Sequence, residues 1–300
     1  MTKGNMINKD TLDIKDLPVF PQVAIKILQI QEENIDISFK ELESIILLDP
    51  ALTAKILKVA NSALYARQRE ITNLQMALTL LGFKMVKSLV LLVSASNIYS
   101  KNVKSQQQTT AATVTKTSTA KIWRHSVVTA FISKYVATRI KQEDKKEDVF
   151  VAGLLHDIGR LIMMIKFKEK YEQYIAYLNQ MQYKDIREIE EKIFEINHQE
   201  IGKIVLEKWN FPNELIDAVA QHHVVQVDSK YKTTVQIVGL ANIFAKIIEN
   251  ENLSENDKEL LAAFSKALNI TQEDYNYLTG EIVNTLQNDE LYKMSTSLIS

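Results

Sequence analysis

Apolar residues return every three or four positions along most of the chain. Val23, Ile27 and Ile30, then Leu42, Ile45 and Ile46, then Leu52, Ile56, Leu57 and Ala60 mark successive helical faces, and Val128, Phe131, Ile132, Tyr135 and Val136 form another stripe. Helix starts are marked as well. Ser38 followed by Glu41 and Thr72 followed by Gln75 read as capping boxes, and Asp49-Pro50 reads as an N-cap with proline at the first helical position. Gly82 ends one helix and releases the chain into the next. This spacing predicts about five short helices before Ser100. Later helices are predicted over 147–166, 168–182, 185–196, 198–209, 213–223, 232–250, 255–268 and 271–287, with a polar last dozen residues expected to fray. Between Lys101 and Ala120 the chain turns to Gln, Thr, Ser, Ala and Lys, which predicts an exposed connection. No repeat at solenoid spacing and no strand pattern is present.

Composition points the same way. A chain of 300 residues, 46% apolar, buries a substantial core, and seven glycines with four prolines are too few for the turns of many short strands. The expected fold is therefore all-α, as one large domain or two tightly joined subdomains, with the polar stretch 101–120 separating the helices before it from those after it. A formal charge of −1 with acids and bases interspersed excludes a global attraction to nucleic acid or anionic membranes, and Lys84 and Lys87 have no interleaved aromatics. The absence of cysteine removes disulfides, thiolate catalysis and sulfur-ligated zinc. Residues 1–16 lack the pattern of a secretory signal, and the greasiest window, Val86 to Ile98, is too short to span a bilayer. A cytoplasmic location is expected.

The chemistry lies in five histidines, at 125, 156, 198, 222 and 223, none in the first hundred residues. His125 shares a face with Val128 and Ile132, His198 with Ile201 and Val205, and His222 and His223 extend the side of Leu215, Ile216 and Val219. His156 sits on the predicted 147–166 helix away from its main stripe, beside Asp157 and the small Ala152 and Gly153. Each buried imidazole needs partners, because an unpaired polar group in a core costs about 1–3 kcal/mol. One reading satisfies each ring locally, through a backbone carbonyl or a tyrosine. The reading favoured for the set is convergence on one polar pocket, where imidazole and carboxylate suit iron, manganese, zinc or nickel. Two ions about 4 Å apart, bridged by Asp157, would activate water against a phosphoester. Asp157 is the one obvious carboxylate near these rings and neutralises two divalent ions poorly, so full occupancy by two ions is not expected.

These residues carry a resemblance. Leu154-Leu155-His156-Asp157-Ile158-Gly159-Arg160, with His125 in Trp123-Arg124-His125-Ser126, resembles the defining pattern of the HD phosphohydrolase superfamily. Its HDOD branch is resembled by Leu17-Pro18, Pro21-Gln22-Val23, Asp49-Pro50-Ala51-Leu52, Ala60-Asn61-Ser62-Ala63 and Ala77 with Leu81-Gly82 in the amino-terminal half, and by Glu207-Lys208-Trp209 with Phe211-Pro212 later. The coverage runs from about 14 to 250, which implies two packed helical subdomains: after a tail (1–13), an amino-terminal helical subdomain (14–100), then the polar connection (101–120), a helical bundle (121–250), and carboxy-terminal helices with a frayed tail (251–300). The resemblance implies an HD-like bundle after residue 120 with His125, His156, Asp157, His198, His222, His223 and Asn242 as a vestigial metal set. Catalytic HD-GYP relatives, which hydrolyse cyclic di-GMP, are similar at His198 with Gly202 and at His222 and His223. They carry Gly-Tyr-Pro where this chain has Val224, Val225 and Gln226. The closing aspartate of the superfamily matches Asn242, and Arg160 stands where a lysine often holds phosphate; arginine still offers a bidentate grip.

The implied function is signal transduction or regulation, through a protein partner or a small nucleotide-like ligand, with one divalent metal at most. The alternative is a working metal-dependent phosphohydrolase or cyclic-dinucleotide phosphodiesterase using the same ligands. Asn61 and Ser62 are read as local packing devices rather than a joint between halves. Tyr171, Tyr174, Tyr177 and Tyr183 are read as core and rim.

Overall fold

The computed structural model describes residues 17–30, 35–61, 71–104, 110–180 and 185–298, and every regular element among them is helical. The amino-terminal half holds α1 (Gln22–Gln29), α2 (Ile35–Ile46), α3 (Pro50–Ala60), α4 (Leu74–Leu81) and the long α5 (Phe83–Lys104). The bundle holds α6 (Thr110–Arg139), α7 (Lys146–Leu155), α8 (Ile158–Lys166), α9 (Lys168–Gln180), α10 (Ile186–Phe194), α11 (His198–Lys208), α12 (Asn213–Gln221) and α13 (Lys232–Ile248). Then come α14 (Glu255–Ala267), α15 (Gln272–Asn276), a π-helical turn (Tyr277–Glu281), α16 (Ile282–Asn288) and α17 (Glu290–Ser297).

Local chemistry sets several of these boundaries. Leu52 N–H donates to the Asp49 side chain at 3.0 Å, with Pro50 at the first helical position, as expected. Gly82 ends α4 at φ 78°, where a side chain is strained. Two expected caps fall differently. Asn73, not Thr72, caps α4: its amide oxygen accepts the N–H of Met76, the third helical residue, at 2.8 Å. Helix α2 already runs at Ile35, so Ser38 lies inside it. Asn61 ties the ends of the α3–α4 connection together, donating to the Ile71 carbonyl and accepting Ile71 N–H, each at 2.8 Å. Ser62 and Tyr183 lie outside the described residues, as does the tail 1–13.

The polar stretch 101–120 differs from expectation. α5 extends through Lys104 and α6 starts at Thr110, so the low apolar content marks helix rather than loop on either side of 105–109. The final residues pack as well: α17 buries Leu291, and the Trp123 indole N–H donates to the Ser295 carbonyl at 2.9 Å. Two buried helices, α6 and α13, form the axis of the bundle against α7. The halves join through Phe20, whose ring lies 5.1 Å from both Trp209 and Phe211, and through the Trp209 N–H donated to the Pro18 carbonyl at 3.1 Å. Among the described residues no single helix is long and apolar enough to cross a membrane.

Candidate metal centre

The 147–166 segment, expected as one helix, is two. α7 ends at Leu155 and α8 begins at Ile158, with Asp157 at φ −101°, ψ 16° between them. The break takes Asp157 out of regular helix without using its side chain as a cap, which leaves the carboxylate for the interior. Helix α8 then crosses α11 at contact distance: a Cβ added at Gly159 would lie 1.9 Å from the His198 carbonyl and 3.0 Å from Gly202 N. Only backbones lacking side chains at this crossing let Asp157 approach His198.

The structure brings all five imidazoles together around Asp157. Two triads result, His125 with His156 and Asp157, and His198 with His222 and His223; within each, one ligand atom per residue lies within 4.8 Å of the others. Asp157 faces both: its Oδ2 is 3.5 Å from His156 Nε2, and its Oδ1 is 3.4 Å from His198 Nε2 and 3.9 Å from His222 Nε2. All these residues are buried.

The outer nitrogens are tied down. His156 Nδ1–H donates to the Gly153 carbonyl at 2.7 Å and His222 Nδ1–H to the Val219 carbonyl at 2.9 Å. Both rings stand at the ends of their helices, where a carbonyl is free to accept; for His222 this is where the expected 213–223 helix put it, whereas His156 was expected within a 147–166 helix. A carbonyl only accepts, so the proton sits on Nδ1 and the Nε2 lone pair points inward. Burial keeps these rings neutral: His156 is pushed down to about 3, and His222 and His223 well below the ordinary imidazole value. For His222, the positive charge it would share with His156 and His198 adds to the effect.

Two carboxylates absent from the sequence reading complete the arrangement. Glu190, fully buried on α10, lies 2.5 Å from His198 Nδ1, and Glu249, at the end of α13, lies 2.7 Å from His125 Nδ1. The expectation that Asp157 is the one acid near the rings is therefore corrected. Burial opposes the charge on Asp157 and Glu190, but Arg160 and the histidines outweigh it, and both carboxyls are held below their usual range. For His125 burial acts downward, and Glu249 outweighs it, so its pKa is raised. Asn242 Oδ1 is 2.9 Å from His125 Nε2, beside the first triad. Arg160 Nη1 lies 3.0 Å from Asp157 and its Nε 3.4 Å from Glu190 Oε1.

The set fits a cation. His156 Nε2 and Asp157 Oδ1, of the first triad, and His223 Nε2, of the second, are buried without a hydrogen-bond partner. His198 Nε2 and His222 Nε2 approach to 3.2 Å, a spacing two imidazoles adopt on one ion. A family model for the HDOD domain matches residues 17–225. The chain belongs to the HDOD family. Its HDOD fold is similar to that of an HDOD domain protein of unknown function from Geobacter sulfurreducens, with 21% identity, TM-score 0.73, and 94% of this chain and 93% of that one covered. A proposed phosphohydrolase of Shewanella amazonensis SB2B gives 20% identity and TM-score 0.69 over 95% of this chain and 96% of its own. A Treponema pallidum protein of unassigned role is 23% identical over 252 residues, 81% of this HDOD chain, which spans 45% of that relative's length.

Glu190 had a signal in the sequence. It lies on the stripe Ile186, Glu190, Phe194, a lone acid among apolar residues four apart. Glu249 follows Asn242 by seven residues, on the same face of α13. Tyr171 and Tyr174 are buried, and Tyr177 lies at the rim under Lys192.

Proposed function

We propose that this chain is a regulatory HDOD protein that holds one divalent ion and acts by binding a protein partner or a small nucleotide-like ligand, not by turnover. His198, His222, His223 and Asp157 would hold the ion, which when bound supplies a Lewis acid and ties α8, α11 and α12 together. The observation that carries the reading is the state of Arg160. This is the cation the family pattern offers for gripping a phosphate, and it is half-buried against Asp157 and Glu190. A guanidinium held between two carboxylates is poorly placed to bind the phosphoryl oxygens of a substrate. Asn242 supports the same reading, since a neutral oxygen replaces an anionic one.

The Shewanella relative's name favours hydrolysis, and the retained histidines are the feature of this chain that agrees with it. One experiment separates the two. Protein purified without chelator is analysed for iron, manganese, zinc and nickel, then reconstituted and assayed on cyclic dinucleotides and nucleotides. About one ion per chain without turnover is expected; sustained turnover, abolished by Asp157→Asn, would transfer the chain to the phosphohydrolases.

A further inference from the structure

We infer that Glu190 is the positioning residue that makes His198 a metal ligand; this rests on the metal reading above. Glu190 stands eight residues before His198, across a turn that passes through left-handed Glu195 (φ 66°) and the helix cap Asn197. It touches His198 twice. Its Oε2 accepts the His198 backbone N–H at 3.0 Å and faces Nδ1 at 2.5 Å. The first contact fixes the chain at the first position of α11, and the second fixes the rotation of the ring. Together they leave His198 Nε2 in one place, 3.4 Å from Asp157 Oδ1 and 3.2 Å from His222 Nε2.

Glu190 itself is held on its other oxygen. The Tyr174 hydroxyl donates to Oε1 at 3.3 Å, and Arg160 Nε lies 3.4 Å from it. A carboxylate with no exposure to solvent persists only when such partners replace water. They also prevent it from swinging inward to become a ligand, so its action passes through the imidazole. A carboxylate hydrogen-bonded to Nδ1 orients the ring and raises the basicity of Nε2, and loss of such a partner lowers metal affinity by about 10–100-fold. His222 and His156 rest on backbone carbonyls instead. Within the second triad, His198 is thus the ring with an anionic support, and Glu190 supplies from outside the shell charge that Asn242 does not provide within it.

The test titrates full-length, chelator-treated protein with Co2+, read by its visible absorption bands. Wild type is expected to bind; Glu190→Gln, which keeps the shape and removes the charge, is expected to bind about 10–100-fold more weakly, with Glu190→Asp intermediate. Wild type that binds no Co2+ removes the metal reading and this inference with it. Wild-type binding with Glu190→Gln unchanged within twofold overturns this inference alone. Should the variants fail to fold, imidazole 15N spectra of metal-free wild type decide: the His198 proton is expected on Nδ1, in a hydrogen bond to a carboxylate, and a proton resident on Nε2 overturns the assignment.

Discussion

The two triads are alike in burial but not in make-up, since the first holds Asp157 with two imidazoles and the second three imidazoles, and the partners of the rings set them further apart. In the second, His198 leans on Glu190 deep in the protein and His222 on a backbone carbonyl, so lone pairs face the centre. In the first, His125 has an oxygen at each nitrogen, Glu249 at 2.7 Å and Asn242 at 2.9 Å. Glu249 also lies beside an open groove of about 730 Å³ between α6 and the 249–252 segment, where Arg124 Nε approaches it to 3.5 Å. The consequence is chemical: His125 is set to keep a proton, whereas His222 and His223 are set to stay neutral. On the reading proposed above the second triad takes the cation, while hydrogen bonds at both nitrogens of His125 close the first. What separates His125 from His198, each of which has a carboxylate at Nδ1, is the Asn242 oxygen at the inner nitrogen of His125.

Acid exposes this difference most strongly. His156, held near 3, and His222 and His223, held well below 6.5, bind fewer protons folded than unfolded. Stability therefore rises with pH up to about 6.5 and is lost as pH falls below it, each ring contributing up to about 1.4 kcal/mol per pH unit. His125 has the opposite sign: its contribution is fully present below 6.5 and is lost as pH rises through its raised value. Denaturant melts of the metal-free protein from pH 8 to 5 are expected to show a steep acid loss, on the order of 4 kcal/mol per unit if all three rings act together. A stability profile flat between pH 7.5 and 5.5 would mean the rings are not buried neutral.

Gly159 tests whether the second triad depends on the α8–α11 crossing. In Gly159→Ala the new methyl would meet the His198 carbonyl at 1.9 Å, backbone against side chain, with no flexible group to yield. The helices must separate, at a cost of about 3 kcal/mol. Asp157 then withdraws from His198, while the His125–Asn242 contact between α6 and α13 is untouched. Loss of Co2+ binding together with a lower unfolding midpoint is expected. Unchanged values for both would show that the crossing is looser than the structure has it.

The helical periodicity made α9 through α12 and α14 readable, because one face of each is buried and the other is not, whereas α13 is buried nearly all round and was readable from its length. The caps were legible at Asp49, and misread at Thr72 where Asn73 competed for the same role. Periodicity is blind to the break at His156 and Asp157, since the apolar residues on either side keep helical spacing through it. The polar composition of 101–120 does not mark a loop throughout, since α5 runs through Lys104 and α6 starts at Thr110, with helix formers such as Lys101, Lys104, Ala111 and Ala112 among their residues. In the centre, the gathering of the five histidines around Asp157 was legible from residue type and family pattern. The supporting acids were not, because Glu190 lies within a charged segment, Ile189-Glu190-Glu191-Lys192, that reads as a solvated face until its four-residue stripe is traced.

The smallest effect comes from making the first triad more like the second. Asn242→Asp replaces a neutral oxygen 2.9 Å from His125 Nε2 with an anionic one, in a site already lined by His156 and the Oδ2 of Asp157. A charged ligand favours a divalent ion over a shared proton, and about a tenfold gain in affinity, or 1.4 kcal/mol, is expected for ions entering this triad. Under excess metal the variant should therefore approach two ions per chain where wild type holds one, and its pH dependence of binding should steepen, because entry of an ion at His125 must expel the proton Glu249 and Asn242 hold there. Equal stoichiometry for the two proteins would place the limit elsewhere, in the approach of Glu249 to Nδ1 rather than in the charge at 242.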